Sequence, residues 1–236
     1  MKIIGVIVAA GKGVRMGGVI GKQFLPLAGR SILAHTISGF NESELIDQIV
    51  IVLSVGDIDY FKAEVLSKLT LSKKIQVVIG GEHRQDSVYN GLRQIRAKDG
   101  IVLIHDGVRP FIRPEQIAAT VEKTRETSAC ILAMPVADTL KRVAEDRRIR
   151  STLERKSVWM AQTPQVFRFS VIWQAHQAAR KAGYIGTDDA QLVERLGLPV
   201  TVVRGSRYNI KITTPEDLAL AEAILATDRF KGRGNK

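Results

Sequence analysis

The chain has 236 residues, of which 45% are hydrophobic and 25% are charged, a composition that suits one globular domain over 1–236. Its 35 Lys and Arg residues against 24 Asp and Glu give a net charge of +11, which favours phosphate-rich partners: nucleotides, nucleic acid or an anionic membrane. The single cysteine, Cys130, excludes a disulfide within the chain, and its apolar neighbours predict that it is buried. No apolar stretch approaches the roughly 18 residues needed to cross a bilayer, so we expect a soluble, cytoplasmic protein.

Short runs rich in Val and Ile alternate along the chain with segments of helical period. Continuous hydrophobicity is typical of strands covered on both faces, and it predicts strands over 3–8, 49–53, 75–79, 101–104, 130–133 and 200–203. The remaining periodic segments predict helices over 32–40, 58–69, 88–95, 116–121, 171–182 and 218–225. This alternation predicts an α/β fold with a doubly wound, mostly parallel sheet.

The stretch 136–159 interrupts the alternation because it contains no segment of helical period. Two short segments, 138–143 and 149–153, flank a polar turn at 145–148. A β-hairpin arm that projects from the domain is the simplest interpretation. The basic residues of 228–236 follow the last predicted helix, as is typical of a solvated tail.

Four polar loops directly follow predicted strands, at 11–16, 80–87, 105–110 and 204–211. In open α/β sheets, ligands bind beyond the carboxyl ends of the strands. We therefore expect the four loops to converge on one binding site, and this convergence is a stronger indication than any single motif.

The loop 11–16 is rich in glycine and carries Lys12 and Arg15, with Lys22 shortly after it. Glycine lets backbone N–H groups approach phosphate oxygens, and the basic side chains add charge, so the loop is consistent with a triphosphate cradle. It is not a dinucleotide fingerprint, because Met16 occupies the third glycine position, and it is not a Walker A loop, because no Ser or Thr follows Lys22. An ordinary strand-to-loop turn is about as consistent with this loop taken alone.

The loop 80–87 contains two glycines, Gly80 and Gly81, whose lack of side chains would let the backbone pass close to a planar base. Arg84, Asp86 and Ser87 add charge and hydrogen-bonding groups at the start of the next helix. The alternative is that Asp86 or Ser87 simply caps that helix.

Asp106 directly follows a predicted buried strand, a common position for a carboxylate that holds ribose or a metal. Mg²⁺ normally accompanies a nucleoside triphosphate, which makes it the expected cofactor here. Arg109 is consistent with an anion site or with a structural role. The four histidines lack metal-ligand spacing, and Trp159 and Trp173 are predicted to be core residues.

Eight motifs then occur in order between Ile4 and about Ile224. They are Ala9-Ala-Gly-Lys-Gly-Val-Arg-Met16, Lys22-Gln-Phe-Leu25, Gly80-Gly with Arg84 and Asp86-Ser-Val88, His105-Asp-Gly-Val-Arg-Pro110, Asp138-Thr-Leu-Lys141, Gln162-Thr-Pro-Gln165, Thr187-Asp-Asp189 and Asn209-Ile-Lys-Ile-Thr213. Together they resemble the 2-C-methyl-D-erythritol 4-phosphate cytidylyltransferases of the non-mevalonate isoprenoid pathway. The resemblance implies a Rossmann-like nucleotidyltransferase fold and transfer of the cytidylyl group of CTP to methylerythritol phosphate, with release of pyrophosphate.

The resemblance also implies roles for the matching residues. Arg15, Lys22 and Lys211 match groups that stabilise the transition state. Nucleotide-binding residues are matched by Ala9, Ala10, Gly11, Gly13, Gly80, Gly81, Arg84, Asp86, Ser87 and Asp106, with Mg²⁺ held mostly by the triphosphate and by Asp106. The acceptor side is matched by Gly107, Arg109, Thr139, Arg155 and Thr187.

The family is a homodimer with interlocking arms, which implies that Thr139 and Arg155 act in the partner's site. No nucleic-acid or membrane partner is expected. A phosphate monoester has a second pKa of about 6, so the acceptor is largely a dianion near neutral pH and attacks without a general base. The lack of a plausible catalytic histidine is consistent with this chemistry.

Three alternatives remain open at this point. The related ribitol 5-phosphate cytidylyltransferases share several motifs, although Lys141 and Trp159 favour methylerythritol phosphate. The net charge of +11 is also consistent with a nucleic-acid-binding module, although the aromatic series of such modules is missing. A non-catalytic interaction protein on the same fold is the third, because fold alone does not determine function.

Overall fold

The computed structural model describes residues 1–11 and 21–227. Its strands are β1 (Ile3–Ala9), β2 (Pro26–Leu27), β3 (Arg30–Ser31), β4 (Gln48–Leu53), β5 (Lys74–Ile79), β6 (Ile101–Asp106), β7 (Ala129–Pro135), β8 (Lys141–Val143), β9 (Ile149–Thr152), β10 (Trp159–Arg168) and β11 (Thr201–Arg204). Its α-helices are α1 (Ile32–Asn41), α2 (Ile58–Tyr60), α3 (Arg84–Arg93), α4 (Pro114–Thr127), α5 (Phe169–Lys181), α6 (Asp189–Glu194) and α7 (Pro215–Leu225).

The central sheet contains seven strands in the order β11-β7-β10-β6-β1-β4-β5. Every neighbouring pair is parallel except the two that involve β10, which runs antiparallel to both β6 and β7. The predicted doubly wound, mostly parallel sheet is confirmed. The antiparallel strand near its middle was not predicted.

Helices cover both faces of this sheet because its strands are apolar on both sides. On β1, Ile3 and Ile7 pack in the same cluster as residues of α1 and α4, whereas Ile4 and Val6 pack with residues of α3, α5 and α6. A third cluster joins α7 to Val108 and Ile212, which flank the polar loops after β6 and β11. Helix α7 therefore packs against both of these loops.

Several predicted elements differ from the observed ones. The predicted helix over 58–69 is not regular: α2 is preceded by a 3-10 turn at Val55–Asp57 and followed by a π-helical turn at Phe61–Val65 and a 3-10 turn at Leu66–Lys68. Helix α3 begins earlier than predicted, α4 is longer at both ends, and α6 was not predicted. Cys130 is buried as expected, and this burial raises its pKa to about 11, so its thiol is not a reactive group.

The predicted hairpin arm is present. Strands β8 and β9 pair antiparallel, and all their residues are exposed. The arm extends from the sheet itself, because β7 and β10 remain paired up to Pro135 and Trp159. Trp159 is 41% exposed, so its predicted place in the core is wrong, whereas Trp173 packs against a core cluster as predicted. Among the described residues, no helix has the length and apolar character needed to span a membrane.

Candidate functional site

A cleft with a cavity volume of about 160 Å³ opens at the carboxyl end of the parallel strands. It is lined by Val8, Ala9, Ala10, Gly11, Lys22, Gln23, Gly81, Glu82, His83, Arg84, Ser87, Asp106, Val108 and Lys211. The loops after β5 and β6 and the segment after β11 converge here, as the sequence predicts. Of the loop 11–16, only Gly11 lies within the described residues.

One wall of the cleft is the turn between β5 and α3. The Gly80 N–H donates to the carbonyl oxygen of Leu53 at 2.7 Å, and the Gly81 N–H donates to Ser87 Oγ at 3.1 Å. A Cβ at Gly80 would lie 2.5 Å from Ala10 Cβ and 2.8 Å from Ser87 Oγ. The backbone thus passes so close to its neighbours that only glycine fits.

The electrostatic centre of the cleft is the carboxylate of Asp106. Its Oδ1 lies 3.2 Å from Arg84 Nε, and its Oδ2 lies 3.0 Å from Lys211 Nζ and 3.4 Å from Arg109 Nε. Burial alone would raise the pKa of Asp106, but attraction to Arg84, Lys211 and Arg109 outweighs it and holds the pKa well below its usual range. The three cations of this cluster outnumber the two carboxylates that they contact, Asp106 and Asp189, so the cluster is positive and suits a phosphate-bearing ligand.

Arg109 is a partly buried member of this cluster. Besides Asp106, its Nη1 donates to the carbonyl oxygen of Asn209 at 2.8 Å. Burial lowers the pKa of Arg109 even though Asp106 opposes the change. The side chain therefore joins the loop after β6 to the segment that carries Lys211, so the structural role allowed by the sequence has direct support.

Strand β10, which was not predicted, contacts Asp106 through the side chain of Thr163. The Asp106 N–H donates to Thr163 Oγ1 at 3.1 Å, and Asn209 Nδ2 donates to the Thr163 carbonyl oxygen at 2.8 Å. His105 Nε2 lies 3.1 Å from the Arg109 carbonyl oxygen, which can only accept, so this nitrogen carries the proton. His105 Nδ1, 3.0 Å from Thr163 Oγ1, then accepts from that hydroxyl.

The burial of His105 predicts a pH-dependent stability. Burial lowers the pKa of His105 to about 4, whereas the unfolded chain has a value near 6.5. The unfolded state therefore binds more protons in this window, and stability is lost as the pH falls from about 7.5 to about 4, by roughly 3 kcal/mol. Urea unfolding at a series of pH values measures this slope, and His105→Gln, which does not titrate, should remove most of it. An equal slope in both proteins would contradict the assignment.

The predicted site residues fall into distinct groups. Nine of them line the cleft: Ala9, Ala10, Gly11, Lys22, Gly81, Arg84, Ser87, Asp106 and Lys211. Gly80, Gly107 and Arg109 lie directly beneath the lining; a Cβ at Gly107 would be 2.8 Å from Ala9 Cβ. Gly13 and Arg15 lie outside the described residues.

Asp86 does not line the cleft. Its carboxylate accepts from the His83 N–H at 3.3 Å and pairs with Arg180 Nη1 at 3.2 Å. Helix α3 begins at Arg84 and has His83 as its N-cap, so Asp86 stabilises the first turn. The alternative that Asp86 stabilises the helix start fits the structure, but the N-cap itself is His83 and neither Asp86 nor Ser87.

The acceptor-side residues Thr139, Arg155 and Thr187 are exposed and do not line the cleft. Thr139 lies at the base of the arm, and the Arg155 Nη1 donates to the carbonyl oxygen of Ala137 within the arm. Thr187 donates through N and Oγ1 to Gln191 Oε1, at 2.7 and 3.2 Å. Within a single chain, Thr139 and Arg155 therefore do not lie in the same cleft as Lys211.

Sequence reasoning assigned no role to a second layer of buried polar residues. Arg84 Nη1 lies 2.7 Å from Asp189 Oδ2, and Asp189 Oδ1 lies 3.1 Å from His176 Nε2. Gln165 Oε1 accepts from the Asp189 and Ala190 N–H groups, both at 3.0 Å. Asp189 and Gln165 lie in motifs noted above, and the motifs are the only sequence signal that marks them.

The carboxylates that line the cleft are Asp106 and Glu82. Among residues 1–11 and 21–227 there is no group of three or more His, Cys, Asp or Glu side chains placed to hold a metal ion. Mg²⁺ usually binds through one or two carboxylates together with substrate phosphates. The donor set fits a metal that arrives with a phosphate ligand, and does not fit a resident metal held by protein alone.

A positive cleft at the carboxyl edge of a doubly wound sheet, walled by a glycine turn, defines a nucleotide-binding protein of the α/β class. Comparison with known sequences makes this specific. The sequence model of 2-C-methyl-D-erythritol 4-phosphate cytidylyltransferase matches residues 3–227, and the chain belongs to this family. The resemblance seen in the motifs is confirmed.

Curated relatives and solved structures agree with this family. The chain is 46% identical over 224 residues to the 2-C-methyl-D-erythritol 4-phosphate cytidylyltransferase of Pelotomaculum thermopropionicum, covering 95% of this chain and 94% of the relative. It is 47% identical over 221 residues to that of Halalkalibacterium halodurans, covering 94% and 96%. The crystal structure of the 4-diphosphocytidyl-2C-methyl-D-erythritol synthase of Anaerococcus prevotii superposes with a TM-score of 0.84 at 33% identity, covering 96% and 99%. The predicted nucleotidyltransferase fold is thereby confirmed.

Proposed function

We propose that the chain transfers the cytidylyl group of CTP to 2-C-methyl-D-erythritol 4-phosphate, giving 4-diphosphocytidyl-2-C-methyl-D-erythritol and pyrophosphate. The observation that carries the proposal is the cationic cluster of Arg84, Arg109 and Lys211 around Asp106, at the cleft of a member of this family.

The nucleotide lies across the cleft in this proposal. Its cytosine faces the turn at Gly80 and Gly81, where the tight backbone and Ser87 Oγ offer close packing and hydrogen bonds to a planar base. The triphosphate lies beside Gly11 and Lys22, which also line the cleft. Asp106 lies next to the ribose and the α-phosphate in this proposal.

Mg²⁺ would be held by the triphosphate oxygens, with Asp106 as its protein ligand. When bound there, it neutralises phosphate charge and polarises the P–O bonds. The protein supplies its own charges independently of the metal: Lys211 Nζ and Lys22 are cations at the cleft wall.

The chemical step needs no protein base. The acceptor phosphate is largely a dianion near pH 7, and one of its oxygens attacks the α-phosphorus of CTP. The new P–O bond forms as the bond from the α-phosphorus to the bridging oxygen breaks, and its electron pair leaves on pyrophosphate. Lys22 and Lys211, together with Arg15, stabilise the charge that develops, and the cleft aligns two anions that otherwise repel each other.

The acceptor site is completed by a second copy of the chain in this proposal. Thr139 and Arg155 are exposed on the arm, and the arm also exposes the apolar side chains of Val143, Ile149 and Trp159. An exposed apolar surface of this kind is typical of an interface. We propose a homodimer that acts on small molecules in the cytoplasm, where CTP is available, with no nucleic-acid or membrane partner.

The direct test is pyrophosphate release from CTP and Mg²⁺ with each of two acceptors, methylerythritol phosphate and ribitol 5-phosphate. We expect turnover with the first and little with the second. A preference for ribitol 5-phosphate would change the substrate and keep the enzyme class. Thermal stabilisation by CTP without turnover on either acceptor would indicate a binding protein, and retention on a polyanion column without turnover would favour a nucleic-acid-binding module.

The glycine wall gives a sharper prediction about the nucleotide. Gly80→Ala should raise the KM for CTP at least about 10-fold, because the new methyl group must displace Ala10 and Ser87 from the cleft lining. Steady-state kinetics with varied CTP measure the effect. The matched control is Gly56→Ala, where a Cβ meets nothing within 4 Å, and its KM should be unchanged. Equal KM values for both variants would show that this wall does not contact the nucleotide.

A further inference from the structure

The guanidinium of Arg84 bridges two carboxylates that belong to different parts of the chain. Its Nε faces Asp106 Oδ1 at 3.2 Å, and its Nη1 faces Asp189 Oδ2 at 2.7 Å. Asp106 lies at the end of β6 and lines the cleft, whereas Asp189 is the first residue of α6 and does not. Asp189 therefore contacts the lining residue Arg84 and does not itself line the cleft.

Asp189 is itself held rigidly. It is 1% exposed, and its backbone N–H donates to Gln165 Oε1 at 3.0 Å. Its second carboxylate oxygen, Oδ1, faces His176 Nε2 at 3.1 Å. Strand β10 thus holds the backbone of Asp189 through Gln165, helix α5 contacts one carboxylate oxygen through His176, and the other oxygen faces Arg84.

Among the described residues, His176 makes no polar contact other than the one with Asp189. It is 0% exposed, and its Nδ1 has no hydrogen-bond partner among the described residues, so its one polar contact there is with Asp189. Burying a polar ring with an unpaired nitrogen carries a cost. A residue placed in this way is well suited to orient the carboxylate of Asp189.

The pKa shifts of Asp189 and Arg84 are consistent with a charged contact between these two side chains. Burial opposes ionisation of Asp189, but the attraction of Arg84 and the hydrogen bond from His176 keep its pKa below the usual value. Burial likewise opposes the charge of Arg84, and the two carboxylates more than compensate, so its pKa is raised. Without the charge of Asp189, Arg84 would have Asp106 as its remaining carboxylate partner, and the Nη1 end of its guanidinium would lose the contact that fixes its orientation beside Asp106.

We propose that Asp189, oriented by His176, is a positioning residue that holds Arg84 against Asp106 and thereby sets the geometry of the nucleotide cleft. The inference rests on the proposed function, because its main consequence is measured on CTP.

The principal variant is Asp189→Asn, which keeps the size of the side chain and removes its charge. We expect kcat/KM for CTP to fall at least about 10-fold, since small misplacements of a charged group are costly in an aligned site. CTP affinity without acceptor, measured by isothermal titration, should fall as well. A melting curve must show a cooperative transition before either value is used.

A double-variant cycle separates positioning from general stability. If Asp189 acts through Arg84, then Asp189→Asn should change kcat/KM less than about 2-fold in a chain that already carries Arg84→Ala. A purely structural residue would cause the same loss in both backgrounds, or none in either. That result would overturn the proposal.

Two further variants complete the test. His176→Phe retains the charges of Arg84 and Asp189 and fills the space of the imidazole ring. It should lower kcat/KM less than Asp189→Asn does, and this loss should also disappear in the Arg84→Ala background. If Asp189→Asn does not fold, the result for His176→Phe tests the proposal in its place. The control is Arg180→Gln, which breaks the partly exposed Arg180–Asp86 ion pair between α3 and α5 and should leave kcat/KM within about 2-fold.

The wild-type measurements distinguish the two proposals. Absence of pyrophosphate release in the wild-type chain would contradict the proposed function, and CTP affinity would then decide on Asp189 by the same cycle. An active wild type with unchanged Asp189→Asn and His176→Phe variants would overturn the positioning role alone. A wild type that neither turns over nor binds CTP would overturn both.

Discussion

Replacing Lys211 by alanine should lower kcat by on the order of 10²-fold or more and leave the protein folded. Its Nζ lies 3.0 Å from Asp106 Oδ2, and its side chain is 40% exposed at the cleft wall, so it supports no core packing. Its charge is placed to act on the α-phosphate as pyrophosphate leaves. The measurement is single-turnover pyrophosphate release at saturating CTP, with melting temperature as the test of folding.

A second lysine–aspartate pair provides the control. Lys2 Nζ lies 2.6 Å from Asp47 Oδ1, before the amino end of β1 and away from the cleft. Lys2→Ala removes the same charge and should not change kcat. A Lys211→Ala protein with normal kcat and a raised KM for CTP would instead assign Lys211 to ground-state binding. Unfolding of that variant would make its role structural.

The proposed sharing of each active site between two chains gives the second large effect. Lys211→Ala and Arg155→Ala homodimers should both be nearly inactive, the first for loss of charge at the α-phosphate and the second for loss of a cation at the acceptor. When the two variants are unfolded and refolded together, the mixture should recover roughly a quarter of wild-type activity.

The quarter follows from two-fold symmetry. Random association makes about half of the dimers mixed, and each dimer has two sites. If Arg155 acts in the partner's site, one site of a mixed dimer carries both defects and the other carries neither. Native mass spectrometry confirms that chains have exchanged. Activity that stays at the level of the separate variants would show that Lys211 and Arg155 serve the same chain's site.

The fold was predictable where hydrophobicity is continuous. The six predicted strands correspond to β1, β4, β5, β6, β7 and β11, each marked by a run rich in Val and Ile. The inner strands β1, β4, β6 and β7 are buried along most of their length, as such runs predict, whereas the edge strands β5 and β11 are partly exposed. Strand β10 leaves no such run: its first three residues are exposed, and Pro164 interrupts it where its pairing with β7 shifts register. Helix α6 has six residues, too few for a helical period to be visible.

The site was predictable as a set of loops, and much less so as a set of contacts. Asp106 ends β6, the glycine turn follows β5 and Lys211 lies in the segment after β11, so the topology brings them to one edge of the sheet. The pairing of charges depends on distances in space that the sequence does not encode locally. Asp86 therefore looked like a ligand-binding residue although it caps α3, and the contact between Arg84 and Asp189, 105 residues apart, was not predicted.

The distribution of the cleft along the chain has a thermodynamic consequence. The cleft draws on Val8 near one end and Lys211 near the other, and Asp106 stands between them in sequence. A partly folded chain cannot assemble it, so CTP binds the native state and not the unfolded one. Ligand at 100 times its dissociation constant then adds about 2.7 kcal/mol to the free energy of unfolding. Bound CTP thus stabilises the whole chain against unfolding, including helices that do not contact the nucleotide.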